Sequence, residues 1–200
     1  MVLAVILYAV LAPAIPADLS FSRWFTAHAD AVEVQIARPP AGPPWLKGVA
    51  EVAAPPERVF AVVTDFRRYS KIFGPTLKKA SVLEASPDRA RLHMVWSYPF
   101  PFENRDAVVA YEGRREADGV FVLEWKADAR PGDPHEGTRI ERVSGETRIE
   151  PVGSSRCRVV YTYLGDLGGS FPKSAQERAW KEEPVQYIRA LRKALDPAAR

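Results

Sequence analysis

The chain contains few of the side chains that metal binding and catalysis use most often. It has one cysteine among 200 residues, Cys157, so no intramolecular disulfide can form. The three histidines, His28, His93 and His135, lie far apart and lack the spacing with Cys, Asp or Glu that is typical of metal ligands. A Gly-x-Ser-x-Gly motif, a phosphate-binding loop and a dinucleotide fingerprint are absent as well. The sequence therefore predicts no metal, no cofactor and no catalytic residue of these classes.

Neither sign of charge dominates the sequence. Lys and Arg number 28 and Asp and Glu number 25, which gives a net charge of +3, and the two signs are interspersed along the chain. Nucleic-acid binding would require a basic stripe or a recognised reading module, and the sequence has neither. We therefore expect no nucleic-acid partner. Contact with an anionic membrane surface stays open, and nothing in the sequence indicates the oligomeric state.

The first 17 residues carry no charge at all, and Asp18 follows directly. Their apolar run, residues 2–11, is shorter than the roughly twenty residues that span a bilayer, and small residues that suit cleavage follow it. We expect a signal peptide or apolar leader over 1–17, and hence a periplasmic or secreted protein. A signal peptide normally opens with Lys or Arg, which this one lacks. The alternative is an apolar tail that packs elsewhere, in a cytoplasmic protein.

Residues 18–200 are predicted to form a single domain, since 46% hydrophobic content supplies one sizeable core. The spacing of Phe21, Trp24 and Phe25 predicts a short helix over residues 20–29, and the alternation over residues 32–36 predicts a strand. The proline-rich segment 38–44 is typical of a loop. A first main strand is predicted over 46–52. A helix is predicted from about Pro56, followed by a second short helix through Tyr69.

From residue 77 to residue 166 the pattern alternates with period two between turn signals, which predicts an antiparallel meander. In the stretch RARLHMVWSY, the apolar side chains from Ala90 to Tyr98 share one face and Arg91 and His93 share the other. Cys157 lies in such a strand and is interpreted as a small buried hydrophobe. Ser170-Phe171-Pro172 supplies a cap and first turn for a long helix that reaches about Leu195 and carries an apolar stripe.

Three stretches resemble the START domain family, within the Bet v 1-like or helix-grip superfamily, and in particular a bacterial START-like protein. They are GVAEVAAPPERVFAVVTDFRRYSKIFG, YPFPFENRDAVV and DLGGSFPKSAQERAWKEEPVQYIRALRKAL, in the family's order and over most of the chain. The sequence departs from the family at Ser70 and Ile72. The resemblance implies an α+β helix-grip fold, in which a curved antiparallel sheet wraps around a long C-terminal helix, with two short helices after the first main strand. It also implies a hydrophobic cavity between helix and sheet.

The inward positions of the strands and the last helix are unusually aromatic, and they offer both bulk and hydroxyl groups to a bound molecule. A solid core is the alternative. The residues predicted to bind ligand are Met94, Trp96, Tyr98, Arg105, Tyr111, Phe121, Trp125, Tyr161, Tyr163, Trp180, Tyr187 and Ile188.

Arg105 and Asp106 are neighbours on a predicted strand, so only one of the two side chains can face inward. Arg105 falls on the face of Tyr111. If that face is inside, the guanidinium requires a partner, because an unpaired buried charge is very unfavourable. The partner would be an anionic ligand head group or a carboxylate, with Glu103, Glu124 and Asp128 as alternatives. A surface position for Arg105 is the other interpretation.

The favoured function is binding, and transport or sensing, of an apolar molecule such as a lipid, a sterol-like or a quinone-like compound, by a protein that is not an enzyme. A polyketide aromatase/cyclase-like enzyme is the alternative, with Tyr98, Arg105 and Tyr161 as acid-base and orienting groups. A third hypothesis is a membrane or partner module that uses Arg189, Arg192 and Lys193. Basic residues are also common at helix C-termini.

Overall fold

The computed structural model describes residues 15–74, 76–164, 166–168 and 171–196. Most of the predicted leader, together with Ser170, lies outside the described residues. The elements in chain order are β1 Ser22–Ala27, β2 Val32–Ala37, β3 Trp45–Val52, α1 Pro56–Val63, α2 Tyr69–Phe73, β4 Leu77–Ala85, β5 Arg89–Trp96, β6 Arg105–Arg115, β7 Phe121–Ala127, β8 Thr138–Arg139, β9 Ser144–Pro151, β10 Cys157–Leu164 and α3 Lys173–Leu195.

The described strands form one ten-stranded sheet in the order β1-β2-β3-β10-β9-β7-β6-β5-β4. Neighbouring strands along this path are antiparallel, as the alternation predicted, while β8 pairs with the start of β6 in parallel. Cys157 is fully buried at the start of β10, and burial raises the pKa of its thiol to about 11, in keeping with a structural role. The α+β helix-grip prediction is confirmed.

The prediction of a helix over residues 20–29 is wrong. The segment forms β1, which pairs with β2 so that Phe25 lies opposite Val34. A spacing of three and four residues in a short apolar run fits a helix and a strand almost equally well. Here the aromatic residues favour an extended chain, and the free edge of β2 supplies its hydrogen-bond partner.

Helices α1 and α2 begin where proline and the spacing of apolar residues predicted them. Pro56 occupies the first turn of α1, and Val59 and Val63 are fully buried on one side of the helix. Both helices contact α3, and they pack against the sheet at β7 and β4.

Helix α3 crosses the concave face of the sheet and contacts β2 and β3. Pro184 lies inside the helix and faces Gly48 of β3, where a Cβ atom would come within 2.7 Å of the proline Cβ. Glycine at position 48 therefore permits the close approach of helix and strand. None of the described helices combines the length and the apolarity needed to cross a membrane.

Two of the three basic side chains near the end of α3 attach the helix to the sheet. Arg189 donates to both carboxylate oxygens of Asp30, at 2.9 and 2.7 Å, and Arg192 donates to the Glu51 carbonyl at 2.7 Å. The hydrogen bond from Arg189 holds the pKa of Asp30 below its usual value. These contacts give the basic residues a structural role, which weakens the hypothesis that they meet a membrane.

The polar face of β5 and β6 is buried, although its alternation suggested an outer surface. The segment of residues 128–139 covers it, and His93 and Asp106 are almost completely enclosed. Arg91 forms ion pairs with Glu84, Asp128 and Asp133 beneath the same segment. Tertiary packing thus overrides the expected exposure of these polar side chains. Among the described residues, no group of three His, Cys, Asp or Glu side chains is arranged to hold a metal ion.

Candidate ligand cavity

A cavity of about 510 Å³ lies between α3 and the concave face of the sheet. Side chains of α2, β4, β5, β6, β7 and β10 contribute to its wall, as do the segments before β6 and before α3. This volume falls within the range of roughly 300–1,000 Å³ that is typical of small-molecule sites. The sheet curves around one helix, and the side chains of both leave this volume between them.

Nine of the twelve residues that the sequence predicted lie on the cavity wall. They are Met94, Trp96, Tyr98, Tyr111, Trp125, Tyr161, Tyr163, Trp180 and Tyr187. Their role in binding stays a prediction.

The other three predicted residues do not line the cavity. Phe121 lies at the far end of β7, where its ring packs on Phe60 of α1 at 4.9 Å between centroids. Ile188 is fully buried in the core and follows Tyr187 on the helix, so its side chain is turned by about 100° away from that of Tyr187. Arg105 is not among the residues that line the cavity. Alternation predicts which face of a strand a side chain occupies. It does not predict where along the strand or helix the cavity lies, and that position decides whether the residue lines the cavity or packs in the core.

Arg105 faces the interior side of β6, and Asp106 faces the opposite side. Its guanidinium donates to the carbonyl oxygens of Leu167 at 3.2 Å and Glu103 at 2.5 Å, and it lies 5.2 Å from the ring centroid of Phe171. Among the described residues, no carboxylate pairs with Arg105, and backbone carbonyls accept its hydrogen bonds; an anionic ligand head group as its partner stays a prediction. The carboxylates of Glu124 and Asp128 are paired with Arg114 and Arg91.

Aromatic rings form a continuous stack from the sheet to the helix. Tyr161 of β10 lies 3.8 Å from Tyr187 of α3 between ring centroids, and 5.6 Å from Trp125 of β7. Tyr187 in turn stacks on Phe73 of α2 at 4.9 Å, with the two ring planes 6° apart. The cavity wall is therefore built largely of flat apolar faces, which suit an apolar guest.

A second group of aromatic side chains lines the cavity, in the segments before β6 and before α3. Phe102 stacks on Phe171 at 4.6 Å, and Tyr98 contacts the same ring edge-on at 5.3 Å. Phe100 lies between Tyr98 and Phe102 in the chain, and 97% of its side chain is exposed. The segment that follows β5 therefore presents one face to the cavity and one large apolar side chain to solvent.

The tyrosine hydroxyls on the wall stay protonated at neutral pH. Burial raises the pKa of Tyr98 to about 12 and holds the pKa values of Tyr161, Tyr163 and Tyr187 well above the usual value. The Tyr187 hydroxyl lies 2.9 Å from the hydroxyl of Thr147, and the Tyr163 hydroxyl donates to the Trp180 carbonyl at 3.3 Å. These groups can orient a polar atom of a ligand, and they do not supply a phenolate.

One charged residue of the cavity wall was missed by sequence reasoning. Glu183 of α3 lies on the cavity wall and accepts a hydrogen bond from the Tyr161 hydroxyl at 3.2 Å. Burial raises the pKa of its carboxyl, and the hydrogen bond from Tyr161 offsets only part of this effect. Position 183 is three residues after Trp180 and four before Tyr187, so helical spacing places it on the same face as both. This helical spacing could have identified Glu183 from the sequence.

Comparisons with known proteins agree with this architecture. The solved STAR-related lipid transfer protein from Xanthomonas axonopodis superposes with a TM-score of 0.75 at 22% identity, and the match covers 88% of this chain and 98% of that one. The Zhui aromatase/cyclase from a Streptomyces species superposes with a TM-score of 0.56 at 17% identity, covering 78% and 95%. At such identities the likeness shows the fold alone, and it includes both a lipid transfer protein and an enzyme.

Sequence comparison gives a relative and a family. An uncharacterized protein of Pseudomonas aeruginosa is 27% identical over 107 residues, which are 50% of this chain, and the chain spans about half the length of that relative, 53%. Residues 52–179 match the family model described as polyketide cyclase / dehydrase and lipid transport. Since the match covers more than half of the sequence, the chain belongs to this family, and its fold is START-like.

Proposed function

We propose that the protein binds an apolar small molecule in the cavity between α3 and the sheet, and that it carries or senses this molecule. The observation that carries the proposal is the volume of about 510 Å³ beside a wall of stacked rings. An apolar cavity of this kind favours an apolar guest, because burial removes the surfaces of both from water. A lipid, a sterol-like or a quinone-like compound fits this description.

The exposed ring of Phe100 supports transient membrane contact as part of the proposal. It lies in the segment that follows β5, between Pro99 and Phe102 of the cavity wall. A ring in this place could enter a bilayer surface while a ligand passes between membrane and cavity. The membrane contact would then involve the segment that follows β5 and not the basic end of α3.

A blocked cavity tests the proposal. Ala179 lies on the wall in α3, so Ala179→Trp should fill the cavity and abolish binding of the neutral fluorophore diphenylhexatriene, measured by its fluorescence. Ala61→Trp, on the exposed side of α1, is the control and should bind as the unchanged protein does. Native mass spectrometry of the purified protein should show a retained apolar molecule that Ala179→Trp lacks. Equal binding by both variants would refute the assigned site.

An aromatase/cyclase-like enzyme is the second candidate, and the hydrogen-bonded pair of Tyr161 and Glu183 favours it. A carboxyl and a hydroxyl in contact on a cavity wall could transfer a proton to or from a bound molecule. A carrier releases its ligand unchanged, whereas an enzyme releases a product of different structure. Mass and chromatographic comparison of the molecule before and after incubation distinguishes the two. Turnover that disappears in Tyr161→Phe while apolar binding survives would establish the enzyme.

A further inference from the structure

Three carboxyl groups lie on the cavity wall, and two of them are paired with arginines. Asp166 accepts from Arg142 at 2.9 Å, and Glu182 accepts from Arg178 at 2.8 Å. Glu183 forms no ion pair with any lysine or arginine in the described parts of the chain, and its partner is the neutral hydroxyl of Tyr161. The wall therefore holds one carboxyl group for which the described residues supply no cation.

The groups that face Glu183 do not neutralise it either. Its electrostatic influence reaches Tyr69 of α2, Tyr98 before β6, Tyr161 and Tyr163 of β10, and Tyr187 of α3. All five are tyrosines, which carry no charge at neutral pH. Arg178 also lies on the wall, but its guanidinium pairs with Glu182, and Arg105 donates to two backbone carbonyls and does not lie on the wall.

Two interactions would stabilise a cation in the cavity. It would pair with the Glu183 carboxylate, which relieves the free-energy penalty of burying that charge alone. It would also lie close to the faces of aromatic rings, which attract cations through their quadrupoles. The Tyr161 hydroxyl contacts Glu183, and the rings of Tyr163 and Tyr187 stack on the ring of Tyr161. An anionic head group would meet the opposite situation, because two negative charges would share one poorly hydrated site.

We propose that the ligand is an apolar amine, whose hydrocarbon body fills the ring-lined cavity and whose ammonium group pairs with Glu183. This inference rests on the proposed function and specifies its ligand class. Fatty acids and other apolar anions are excluded by the same carboxylate, and neutral alcohols bind through the tyrosine hydroxyls with lower affinity. Glu183 is thus the specificity-determining residue of the cavity.

Three probes with the same hydrocarbon tail test the inference. n-Decylamine, n-decanol and n-decanoate are compared as competitors of diphenylhexatriene at neutral pH, below their aggregation concentrations. The amine should displace the fluorophore at a concentration at least about tenfold lower than the alcohol, because a desolvated charge pair contributes more than a neutral hydrogen bond. Decanoate should be the weakest. Glu183→Gln keeps the shape of the side chain and should reduce the preference for the amine to near unity.

Glu177→Gln is the matched control on the same helix. The Glu177 carboxylate is exposed and pairs with Lys181 at 3.5 Å, so its loss should leave the preference for the amine unchanged. A second measurement needs no variant. Acidification that protonates Glu183 should weaken amine binding in the unchanged protein and should leave decanol binding unaffected, since only the amine depends on the carboxylate charge.

The outcomes separate the inference from the proposed function. If none of the probes displaces the fluorophore, or if the fluorophore does not bind, apolar ligand binding itself is refuted. If decylamine and decanol bind equally well, or if the preference persists in Glu183→Gln and at acidic pH, the cavity binds apolar molecules but the amine inference is overturned. A preference for the amine that Glu183→Gln and acidification both remove, and Glu177→Gln preserves, supports it.

Discussion

At the scale of single residues, Glu183 combines a position suited to a ligand with an unfavourable effect on the unliganded fold. Burial favours the protonated carboxyl and raises its pKa above the ordinary value of 4.5. The folded state therefore holds this proton to higher pH than the unfolded state does. Its contribution to stability is fully present below about pH 4.5 and is lost as the pH rises through the pKa of the folded state. Residues that serve binding often reduce stability in this way.

The direction of the Glu183 pKa shift leads to the first prediction. Glu183→Gln cannot lose a proton, so at neutral pH it should be more stable than the unchanged protein by about 1 kcal/mol, the lower end of the penalty for a poorly satisfied polar group, because the side chain is only partly buried. The difference should shrink as the pH falls and vanish near pH 4.5. Urea unfolding at a series of pH values measures it. Glu177→Gln, on the exposed side, should show no such gain, and a Glu183→Gln variant that is less stable at neutral pH would contradict the argument.

At the scale of elements, the buried face of β5 and β6 makes the segment of residues 128–139 part of the fold. Asp106 is completely buried, and four groups lie within hydrogen-bond distance of its carboxylate. Three come from the covering segment, namely His135 Nδ1 at 3.1 Å, the Glu136 amide at 3.2 Å and Arg139 Nη2 at 3.0 Å. The fourth is His93 Nε2 of β5 at 2.9 Å. One carboxylate thus joins the sheet to the segment that covers it.

Removal of this carboxylate should be strongly destabilising. Asp106→Ala leaves the Arg139 guanidinium without its buried acceptor, and we expect a loss of about 3–5 kcal/mol in the free energy of unfolding, as for other broken buried ion pairs. Glu136→Gln removes the exposed pair with Lys78 and should lose less than about 1 kcal/mol. Chemical denaturation measures both. Equal losses for the two variants would show that the network does not fasten the segment.

The elements also show what could and could not be predicted from the sequence. Helices α1 and α3 and the alternation of β5 were predictable, because their patterns depend on burial of one face against the core. Strand β1 was not, because the spacing of Phe21, Trp24 and Phe25 fits a helix until the edge of β2 is known. The burial of His93 and Asp106 was not predictable either. It results from a proline- and glycine-rich segment that folds back over the sheet. No local sequence pattern predicts the path of this segment.

At the scale of the whole molecule, the cavity means that the fold leaves part of its interior apolar surface unburied. A filled core would gain dispersion and hydrophobic free energy from that volume, which the unliganded protein lacks. In the described part of the chain, the sheet, α2 and α3 border this volume. Stability and ligand binding are therefore linked, because a bound guest supplies the missing contacts.

This linkage predicts the thermal behaviour. A ligand that binds only the folded state, present at 100 times its Kd, should raise the free energy of unfolding by about 2.7 kcal/mol. For a chain of this size the Tm should then rise by roughly 5–11 °C, since 1 kcal/mol corresponds to about 2–4 °C. Differential scanning calorimetry with decylamine or decanol, whichever displaces the fluorophore, measures the shift. Ala179→Trp fills the cavity with a side chain of its own, so it should show almost no shift. Equal shifts in the two proteins would mean that the ligand binds outside the cavity.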